Sequence, residues 1–340
     1  MPHTEKTHIS VIFISYNQEK NIASGLKSIL SQTYENLEIV LSDDCSTDNT
    51  FEIIQDVSAA YSGPHKIILN RNPQNLGITG NLNKAISLAS GKFLVQANGD
   101  DISHPDRVSK LYEAWSKDPE NIKLVYSNLD QIDMAGQFVK KMRPAKPETP
   151  TLTPREVIQK RQYIVGACTA YTLDLFEKFG PIPSQAEVED HIIPFRASLM
   201  GRTVRVDETL VQMRQGGVSW MDRKDLEHPD NFFGGRLLSG SRRVLANYRA
   251  VSEDCSKVDF EKKTECLAFI KKRMERIEFL LETAEMPPYR LLTRLPYAYL
   301  LTVTRHSRYF LKITFRYLFK FILYPIMLAN YKKKWQTSGD

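Results

Sequence analysis

Two adjacent acids, Asp100 and Asp101, follow the short apolar segment Phe93–Ala97, with only Asn98 and Gly99 in between. Carboxylate oxygens are the ligands that Mg²⁺ and Mn²⁺ prefer, and these ions bridge to phosphate oxygens. We therefore predict that Asp100 and Asp101 bind Mn²⁺ or Mg²⁺, which would stabilise charge on a leaving phosphate group. The alternative is that the pair caps the following helix, but capping uses one acid and leaves Asn98 and Gly99 unexplained.

A second acidic pair, Asp43 and Asp44, follows the apolar segment Leu37–Leu41. A carboxylate at this place can accept the N3–H of a uracil or thymine ring. The residues that follow, up to Asp48, are typical of turns and helix caps, so a purely local role is the alternative. Because two other apolar segments also end in polar residues, we favour recognition of a nucleotide base.

These acids need a scaffold, and the apolar pattern predicts one. Short β-branched runs predict buried strands, and apolar residues at helical spacing predict helices between them. The predicted strands are Ile9–Ile14, Leu37–Leu41, Lys66–Leu69, Phe93–Ala97, Ile122–Tyr126 and Val204–Val211, and the predicted helices include Glu19–Gln32, with Asn17 as its N-cap, Asn81–Ala89, Asp106–Lys117 and Phe260–Thr283. Strands that alternate with helices form parallel sheets, which bind ligands beyond the carboxyl ends of the strands.

Polar residues follow the first, second and fourth predicted strands. They are Ser15-Tyr16-Asn17, Asp43-Asp44 and the segment from Asn98 to Asp101. Parallel strands end at the same edge of a sheet, so we expect these three groups to lie close together.

The composition is that of an ordinary globular protein, with 42% hydrophobic and 25% charged residues. The four cysteines are widely spaced and form no CxxC pair, which argues against zinc and against a disulfide framework. We therefore expect reduced thiols and a cytoplasmic protein. The first ten residues lack the apolar run of a signal peptide.

The last part of the chain differs from the rest in charge. Residues 286–340 contain ten Lys or Arg and one acid, interleaved with aromatic and aliphatic residues. The longest uncharged run, Phe321–Tyr331, is about half of the ~20 residues that a membrane-spanning helix needs. We predict a basic amphipathic tail that lies on the inner leaflet of the membrane, with packing against protein as the alternative. The aliphatic residues between the charges argue against nucleic acid as a partner.

Four segments, in their order and spacing, resemble a known family: Ile9–Asn17, Ile39–Thr50, Asn75–Asn81 and Phe93–Arg107. They resemble the family 2 inverting glycosyltransferases, which have the GT-A fold, and the resemblance covers roughly residues 8–220. It implies a mostly parallel α/β sheet flanked by helices. The implied domains are a GT-A domain over residues 1–225, with its nucleotide-binding half up to about 120 and its acceptor half over 121–225, then a helical extension over 226–285 and the tail over 286–340.

The resemblance also implies roles for individual residues. Those implied to line the nucleotide-sugar site are Ser15, Tyr16, Asn17, Glu19, Asp43, Asp44, Asn75, Asn81, Asn98 and Gly99, and those on the acceptor side are Gly166, Cys168, Glu189 and His191. Asp190 would be the general base that takes a proton from the acceptor hydroxyl. The alternatives are a helix start at residues 189–190 and a buried turn at residues 166–168. This sequence departs from the family at two positions. Asn98 replaces the first acid of the family's metal motif, and Gln215 precedes Gly216-Gly217 where the family often has a His.

The resemblance implies transfer of a single sugar, with inversion, from a UDP- or dTDP-sugar. The implied acceptor is a glycan or a polyprenyl-diphosphate-linked oligosaccharide, as in O-antigen or capsule biosynthesis, and the implied location is the cytoplasmic face of the membrane, with peripheral attachment. The alternative is a nucleotide-sugar-binding or membrane-scaffold protein that has lost catalysis, which the replacements at Asn98 and Gln215 keep open. The processive polysaccharide synthases carry several membrane spans and a Gln-X-X-Arg-Trp motif, and the sequence has neither.

Overall fold

A computed structural model of the chain describes residues 8–142, 153–160, 164–186, 189–215 and 236–285. The chain divides into two compact units, one running to Met221 and including Arg249–Leu267, the other comprising Asp222–Tyr248 and the residues from Ala268 onwards. The predicted helical extension over 226–285 is therefore shared between the two units. The predicted basic tail over 286–340 lies outside the described residues.

The elements follow one another in an α/β order. The strands are β1 (Ile9–Ser15), β2 (Glu38–Asp43), β3 (Lys66–Arg71), β4 (Phe93–Asn98), β5 (Ile102–Ser103), β6 (Ile122–Ile132), β7 (Phe138–Met142), β8 (Thr169–Thr172) and β9 (Arg202–Arg214). The helices are α1 (Ile22–Leu30), α2 (Thr50–Ala59), α3 (Gly77–Leu88), α4 (Arg107–Ser116), α5 (Pro154–Lys160), α6 (Asp174–Phe179), α7 (Ile192–Met200), α8 (Arg236–Ser256) and α9 (Lys263–Glu285). Two 3₁₀ turns cover Gly166–Cys168 and Glu189–His191.

The described strands form one sheet in the order β3-β2-β1-β4-β8-β6-β9-β5, and β7 pairs with β6. The first four strands in this order are parallel, whereas β8 runs antiparallel to both β4 and β6. In the register of the parallel part, Ser15 lies beside Asp43 and Ile14 lies beside Asn98. The strands that end in polar residues therefore stop level with one another.

The parallel strands are held by a core that covers both faces of the sheet. Every residue of β1 is buried, as expected for a parallel strand with helices on either side. The helix α1 buries Ile22, Leu26 and Ile29 against the sheet, one residue per turn of its inner face. On α4, Trp115 stacks on Phe93 with ring centroids 4.8 Å apart. This packing fixes the strand ends that carry the candidate site.

The predicted class of fold is confirmed, and each predicted strand is present, although β6 and β9 extend well beyond their predicted ends. The strands β5, β7 and β8 were not predicted. The prediction that Asn17 caps a helix starting at Glu19 is wrong, because α1 begins at Ile22. Asn17 has a positive φ of 49° and accepts the backbone N–H of Thr47 at 2.8 Å, so its side chain ties two loops together.

A buried ion pair joins α7 to the end of α8 inside the first unit. Arg196 Nε donates to Asp254 Oδ2 at 2.8 Å, and the two side chains are only 1% and 2% exposed. Arg196 also donates to the backbone carbonyl of Gly180 at 2.7 Å. The helix α7 directly follows the 3₁₀ turn that contains Asp190, so this pair fixes the helix on the acceptor side. None of the helices within the described ranges is long and apolar enough to cross a lipid bilayer.

Replacement of one partner of this ion pair tests how much the pair contributes to the free energy of unfolding. We expect Asp254→Asn to lower the free energy of unfolding by about 3 to 5 kcal/mol, because the Arg196 charge stays buried without its counter-ion. Urea denaturation measures the change. Glu265→Gln is the matched control, because its pair with Arg155 is exposed on both sides and should cost less than about 1 kcal/mol. Equal losses in the two variants would contradict this account.

Candidate active site

The acidic pair at the end of β2 is buried and has partners within the protein. Asp43 Oδ2 accepts the backbone N–H of Ser46 at 2.9 Å, and Asp43 Oδ1 accepts the hydroxyls of Ser46 and, at 3.5 Å, Ser15. Asp44 Oδ1 accepts the backbone N–H of Leu76 at 2.8 Å. Asp43 is therefore committed to the turn after β2, while Asp44 links that turn to the start of α3.

Asn81 lies at the centre of the same strand ends but does not face outwards. Its Oδ1 accepts the Ser42 hydroxyl at 2.6 Å and the Asn72 amide at 3.0 Å, and its Nδ2 donates to the Ser42 carbonyl at 3.0 Å. The side chain is 2% exposed. Asn81 thus holds β2 against α3, and its predicted contact with a nucleotide sugar finds no support in these bonds.

Three further residues predicted on the nucleotide side stabilise the loops around it. In each case a side-chain oxygen accepts a backbone N–H: Asn17 from Thr47, Glu19 from Asn49, and Asn75 from Gly77. Tyr16 is partly exposed on the first of these loops. Gly99 is closely packed, because a Cβ there would lie 2.3 Å from Gln18 Oε1 and 2.6 Å from Ile22 Cδ1. The predicted nucleotide-side residues are thus brought to one edge of the sheet.

The two acids after β4 have different surroundings. Asp101 Oδ1 accepts the backbone N–H of Arg214 at 3.0 Å, and Asp101 Oδ2 accepts the Asn98 amide at 3.1 Å. Both oxygens of Asp101 thus bind donors within the protein, and one of these bonds fixes the end of β9. The pKa of Asp101 is raised to about 8, mainly by burial and to a smaller extent by the charge of Asp100.

Asp100 is the acid of this pair that remains for a ligand. Its side chain is buried, and burial raises its pKa, while Arg214 and Gln18 act in the opposite direction. Within residues 8–142, 153–160, 164–186, 189–215 and 236–285, no group of three or more His, Cys, Asp or Glu side chains is placed to hold a metal ion. A divalent cation held by one or two carboxylates takes further ligands from substrate phosphates and water, which suits Asp100.

Arg107, in the first turn of α4, was missed by the sequence analysis. It is 1% exposed, and its Nη2 donates to the carbonyls of Gln96 at 2.6 Å and Ala167 at 2.7 Å, while Nη1 donates to Ser103 at 2.9 Å. Arg107 therefore joins the strand that leads to Asp100 to the turn on the acceptor side. Arg107, Leu111 and Trp115 are four residues apart and therefore lie on the same face of a helix. This spacing could have predicted from the sequence that Arg107 is buried.

The predicted acceptor-side residues meet around one turn. Gly166, Cys168 and Glu189 are buried, and Asp190 and His191 are partly exposed. Asp190 Oδ1 accepts the backbone N–H of Gly166 at 2.6 Å, and Glu189 Oε1 accepts the Gln96 amide at 2.6 Å. The structure thus places Asp190 beside the turn at residues 166–168. An acceptor floor at this turn stays a prediction, and a buried turn and a helix start remain the alternatives.

The surroundings of Asp190 suit a proton acceptor. Burial, followed by the negative charge of Glu189, raises the pKa of Asp190 to about 8, against the effect of the Gly166 N–H. Burial likewise raises the pKa of Glu189. Carboxylates with raised pKa values have a stronger affinity for protons, which is what a general base near neutral pH requires.

Solved structures share this arrangement of sheet and helices. Staphylococcus aureus TarS in complex with UDP-GlcNAc matches with a TM-score of 0.59 and 19% identity, over 83% of this chain and 77% of that one. The mannosyltransferase PcManGT from Pyrobaculum calidifontis, in complex with GDP-Man and Mn²⁺, matches with a TM-score of 0.55 and 15% identity, over 94% of this chain and 88% of that one. The fold is therefore the GT-A fold of glycosyltransferases.

The sequence places the chain within one family of that fold. Residues 10–180 match Glycosyl transferase family 2, and the protein belongs to this family. A curated relative, the UDP-Glc:alpha-D-GlcNAc-diphosphoundecaprenol beta-1,3-glucosyltransferase WfgD of Escherichia coli, is 33% identical over 135 residues, which are 38% of this chain and 50% of WfgD. The chain spans about half the length of the curated relatives it matches.

Gly166 tests how tightly the acceptor-side cluster is packed. A Cβ at this position would lie 2.5 Å from both Gln96 Nε2 and Glu189 Oε1. We expect Gly166→Ala to lower the free energy of unfolding by about 1 to 3 kcal/mol, because buried polar groups would have to move apart. Gly240→Ala, in α8, is the control: nothing lies within 4 Å of an added Cβ there, and Ala favours the helix. Equal stability of Gly166→Ala and the wild type in urea would show that the cluster is loose.

Proposed function

We propose that this protein is an inverting glycosyltransferase that transfers a single sugar from a UDP- or dTDP-sugar to a hydroxyl group of a glycan or lipid-linked oligosaccharide. One observation carries the proposal: β4, the strand that leads to Asp100 on the donor side, is hydrogen-bonded through Gln96 and Arg107 to the turns that hold Asp190 on the acceptor side. A transferase needs such an arrangement, because the leaving group and the attacking hydroxyl occupy opposite faces of the same sugar.

The nucleotide occupies the edge formed by β1, β2 and β4 in this proposal. Asp44 is our candidate for the acid that accepts the N3–H of the base, because both oxygens of Asp43 already bind the turn. Ser15, the last residue of β1, and Tyr16, which follows it, flank the same edge. The backbone at Gly99 is close-packed against Gln18, which brings this loop next to Asp100.

The residues present fit a divalent cation. Asp100 would hold Mn²⁺ or Mg²⁺ together with the diphosphate, and Asp101 would support the site from behind through its bonds to Asn98 and Arg214. When bound, the cation would neutralise charge on the leaving diphosphate. The mannosyltransferase of the same fold was solved with Mn²⁺, which supports the choice of ion.

Asp190 acts as the general base in this proposal. In its deprotonated form it takes the proton of the acceptor hydroxyl as that oxygen attacks the anomeric carbon on the face opposite the diphosphate. The C–O bond to the diphosphate breaks as the new C–O bond forms, and this single displacement inverts the configuration. The Gly166 N–H orients the Asp190 carboxylate, and Glu189, held by Gln96, precedes it in the same turn. His191 lies next to it on the acceptor side.

The acceptor class follows from the relatives and from the charge of the chain. WfgD is named for an acceptor linked to diphosphoundecaprenol, a membrane lipid. The basic, aromatic residues of 286–340 suit the anionic inner leaflet, where such an acceptor is presented. We propose a role in surface-polysaccharide biosynthesis at the cytoplasmic face of the membrane, with peripheral attachment.

The cation site is tested by nucleotide binding. We expect UDP to raise the melting temperature of the wild-type protein in the presence of Mn²⁺, and Asp100→Ala to lose this increase, because the cation links Asp100 to the diphosphate. At a UDP concentration 100 times its Kd, the stabilisation should be about 2.7 kcal/mol. A thermal-shift titration of Mn²⁺ at fixed UDP measures both variants.

Asp106→Asn is the control for this titration, since Asp106 is exposed and bonds to Thr33 outside the site. It should respond as the wild type does. If Asp100→Ala kept the full response, Asp100 would not hold the cation. Binding without any transfer to an acceptor would favour the alternative of a nucleotide-sugar-binding protein that has lost catalysis.

The pKa of Asp190 predicts the dependence of activity on pH. A general base works in its deprotonated form, so kcat/KM should rise with pH through about 8 and level off above it. Glu189→Gln removes the negative charge beside Asp190 and should move this midpoint to lower pH. Sugar transfer measured from pH 5.5 to 9.5 gives both profiles.

Asp190→Asn controls for the identity of the base. It should lower kcat by about 100-fold or more at every pH, while UDP binding stays unchanged. A transfer rate that does not depend on pH, or a midpoint that Glu189→Gln moves upwards, would contradict the assignment of Asp190.

A further inference from the structure

Gln96 is a fully buried polar residue of β4 whose groups all have partners on other elements. Its Nε2 donates to Glu189 Oε1 at 2.6 Å, and its Oε1 accepts the Tyr171 hydroxyl at 3.3 Å. Its backbone carbonyl accepts Arg107 at 2.6 Å. Gln96 precedes Asn98 by two residues, about 7 Å along the strand. One side chain therefore connects the donor strand, β8 and the acceptor-side turn.

We propose that Gln96 is a positioning residue for sugar transfer: its amide fixes Glu189 and, through Glu189, holds the Asp190 carboxylate in place relative to the donor. This inference rests on the proposed function of Asp190 as general base. Gln96 does not touch the reacting atoms in this scheme, and its effect passes entirely through the turn at Glu189–His191.

The packing around Gly166 shows why Glu189 would transmit such an effect. A Cβ at Gly166 would lie 2.5 Å from Gln96 Nε2, 2.5 Å from Glu189 Oε1 and 3.0 Å from Asp190 Oδ1. The three polar side chains thus surround a single backbone position. Glu189 and Asp190 are neighbours in a 3₁₀ turn of three residues, so a shift of one moves the other.

The charges around the turn give a second route for the same effect. Among the described residues, the titratable groups that face Glu189 and Asp190 are Tyr171 on β8, Cys168 on the 166–168 turn and, beyond Cys168, Arg107 on α4, with His191 next in the chain. The Gln96 amide favours the ionised form of Glu189. Loss of the amide would let Glu189 take up a proton more readily, which would weaken its repulsion of the Asp190 charge and lower the pKa of Asp190.

A purely structural role is the competing explanation. Gln96 would then be a core residue whose amide is satisfied by Tyr171 and Glu189, and its loss would reduce stability without a specific effect on Asp190. The two explanations differ in the pH profile, in the division of the effect between kcat and KM, and in the coupling to Glu189.

Gln96→Met is the main test, since it keeps the size of the side chain and removes its hydrogen bonds. We expect kcat for sugar transfer to fall at least tenfold, the KM for the donor to stay within twofold, and the pH midpoint of kcat/KM to move to lower pH. Gln131→Met is the matched control, because Gln131 is a buried glutamine on β6 whose Oε1 has no hydrogen-bond partner among the residues that the structure describes. It should leave all three quantities unchanged.

A double-mutant cycle isolates the path through Glu189. In the Glu189→Gln background, Gln96→Met should cause no further movement of the pH midpoint and a smaller loss of kcat than in the wild type. Additive effects would overturn the proposal, and so would an unchanged pH midpoint in Gln96→Met or an equal loss of kcat in Gln131→Met.

Tyr171→Phe serves if Gln96→Met does not fold, because it removes only the hydroxyl that fixes the far end of the amide. It should lower kcat in the same direction by a smaller factor, again with the donor KM within twofold, and a wild-type kcat would overturn the proposal. Failure of the proposed function gives a different result: the wild-type protein would then transfer no sugar at all. If the wild type transfers sugar and Gln96→Met behaves as the wild type does, this inference alone is wrong.

Discussion

The candidate site depends on the register of three parallel strands. Because β2, β1 and β4 end within one residue of one another, Asp43 lies beside Ser15 and Asn98 lies beside Ile14 at one edge of the sheet. The backbone after each strand then turns sharply, and the side chains in these turns accept neighbouring N–H groups. A shift of register by one residue would reverse the facing of each side chain and separate the acids. The buried core under these strands is what prevents such a shift.

Burial of carboxylates on both sides of the site is the second constraint. Asp100 and Asp101 lie together on one side, Glu189 and Asp190 on the other, and burial raises the pKa of all four. Such groups are stable only if each pair gains a cation, a proton or hydrogen-bond donors. The protein supplies two donors to Asp101, the Gln96 amide to Glu189 and the Gly166 N–H to Asp190, while the Gln18 side chain bonds to Asp100. Of these four acids, the proposed mechanism assigns a metal ion to Asp100 and a proton to Asp190.

Much of the fold was predictable because parallel strands buried on both faces are continuous apolar runs. The polar residues after β1, β2 and β4 were predictable for the same reason, since each run stops abruptly. The strand β8 was not predictable: it has four residues and depends on pairing with β4 and β6, which are distant in the sequence. The predicted N-cap at Asn17 was wrong because the Asn17 side chain binds the backbone N–H of Thr47, thirty residues away, and does not cap a helix. Helix-capping preferences take only nearby residues into account.

The same limit applies to the site residues. Asp100 and Asp101 are adjacent in the sequence, and the bond from the N–H of Arg214, far along the chain, is what suits Asp101 to a supporting role. Arg107 and Gln96 lie in otherwise apolar patterns, where a polar residue is usually exposed. Their partners, the Ala167 carbonyl and the Glu189 carboxylate, come from segments that the sequence does not place next to them. The roles of these residues thus depend on hydrogen bonds between distant segments, which the sequence pattern does not predict.

A crystal structure of the protein with UDP and Mn²⁺ would test most directly whether the two acidic sites serve one donor. The account predicts Mn²⁺ bound by Asp100 and the diphosphate, the base against Asp44, and the Asp190 carboxylate facing the space where the sugar would extend from the diphosphate. UDP bound at another surface, or a diphosphate whose sugar position lies out of reach of Asp190, would contradict it.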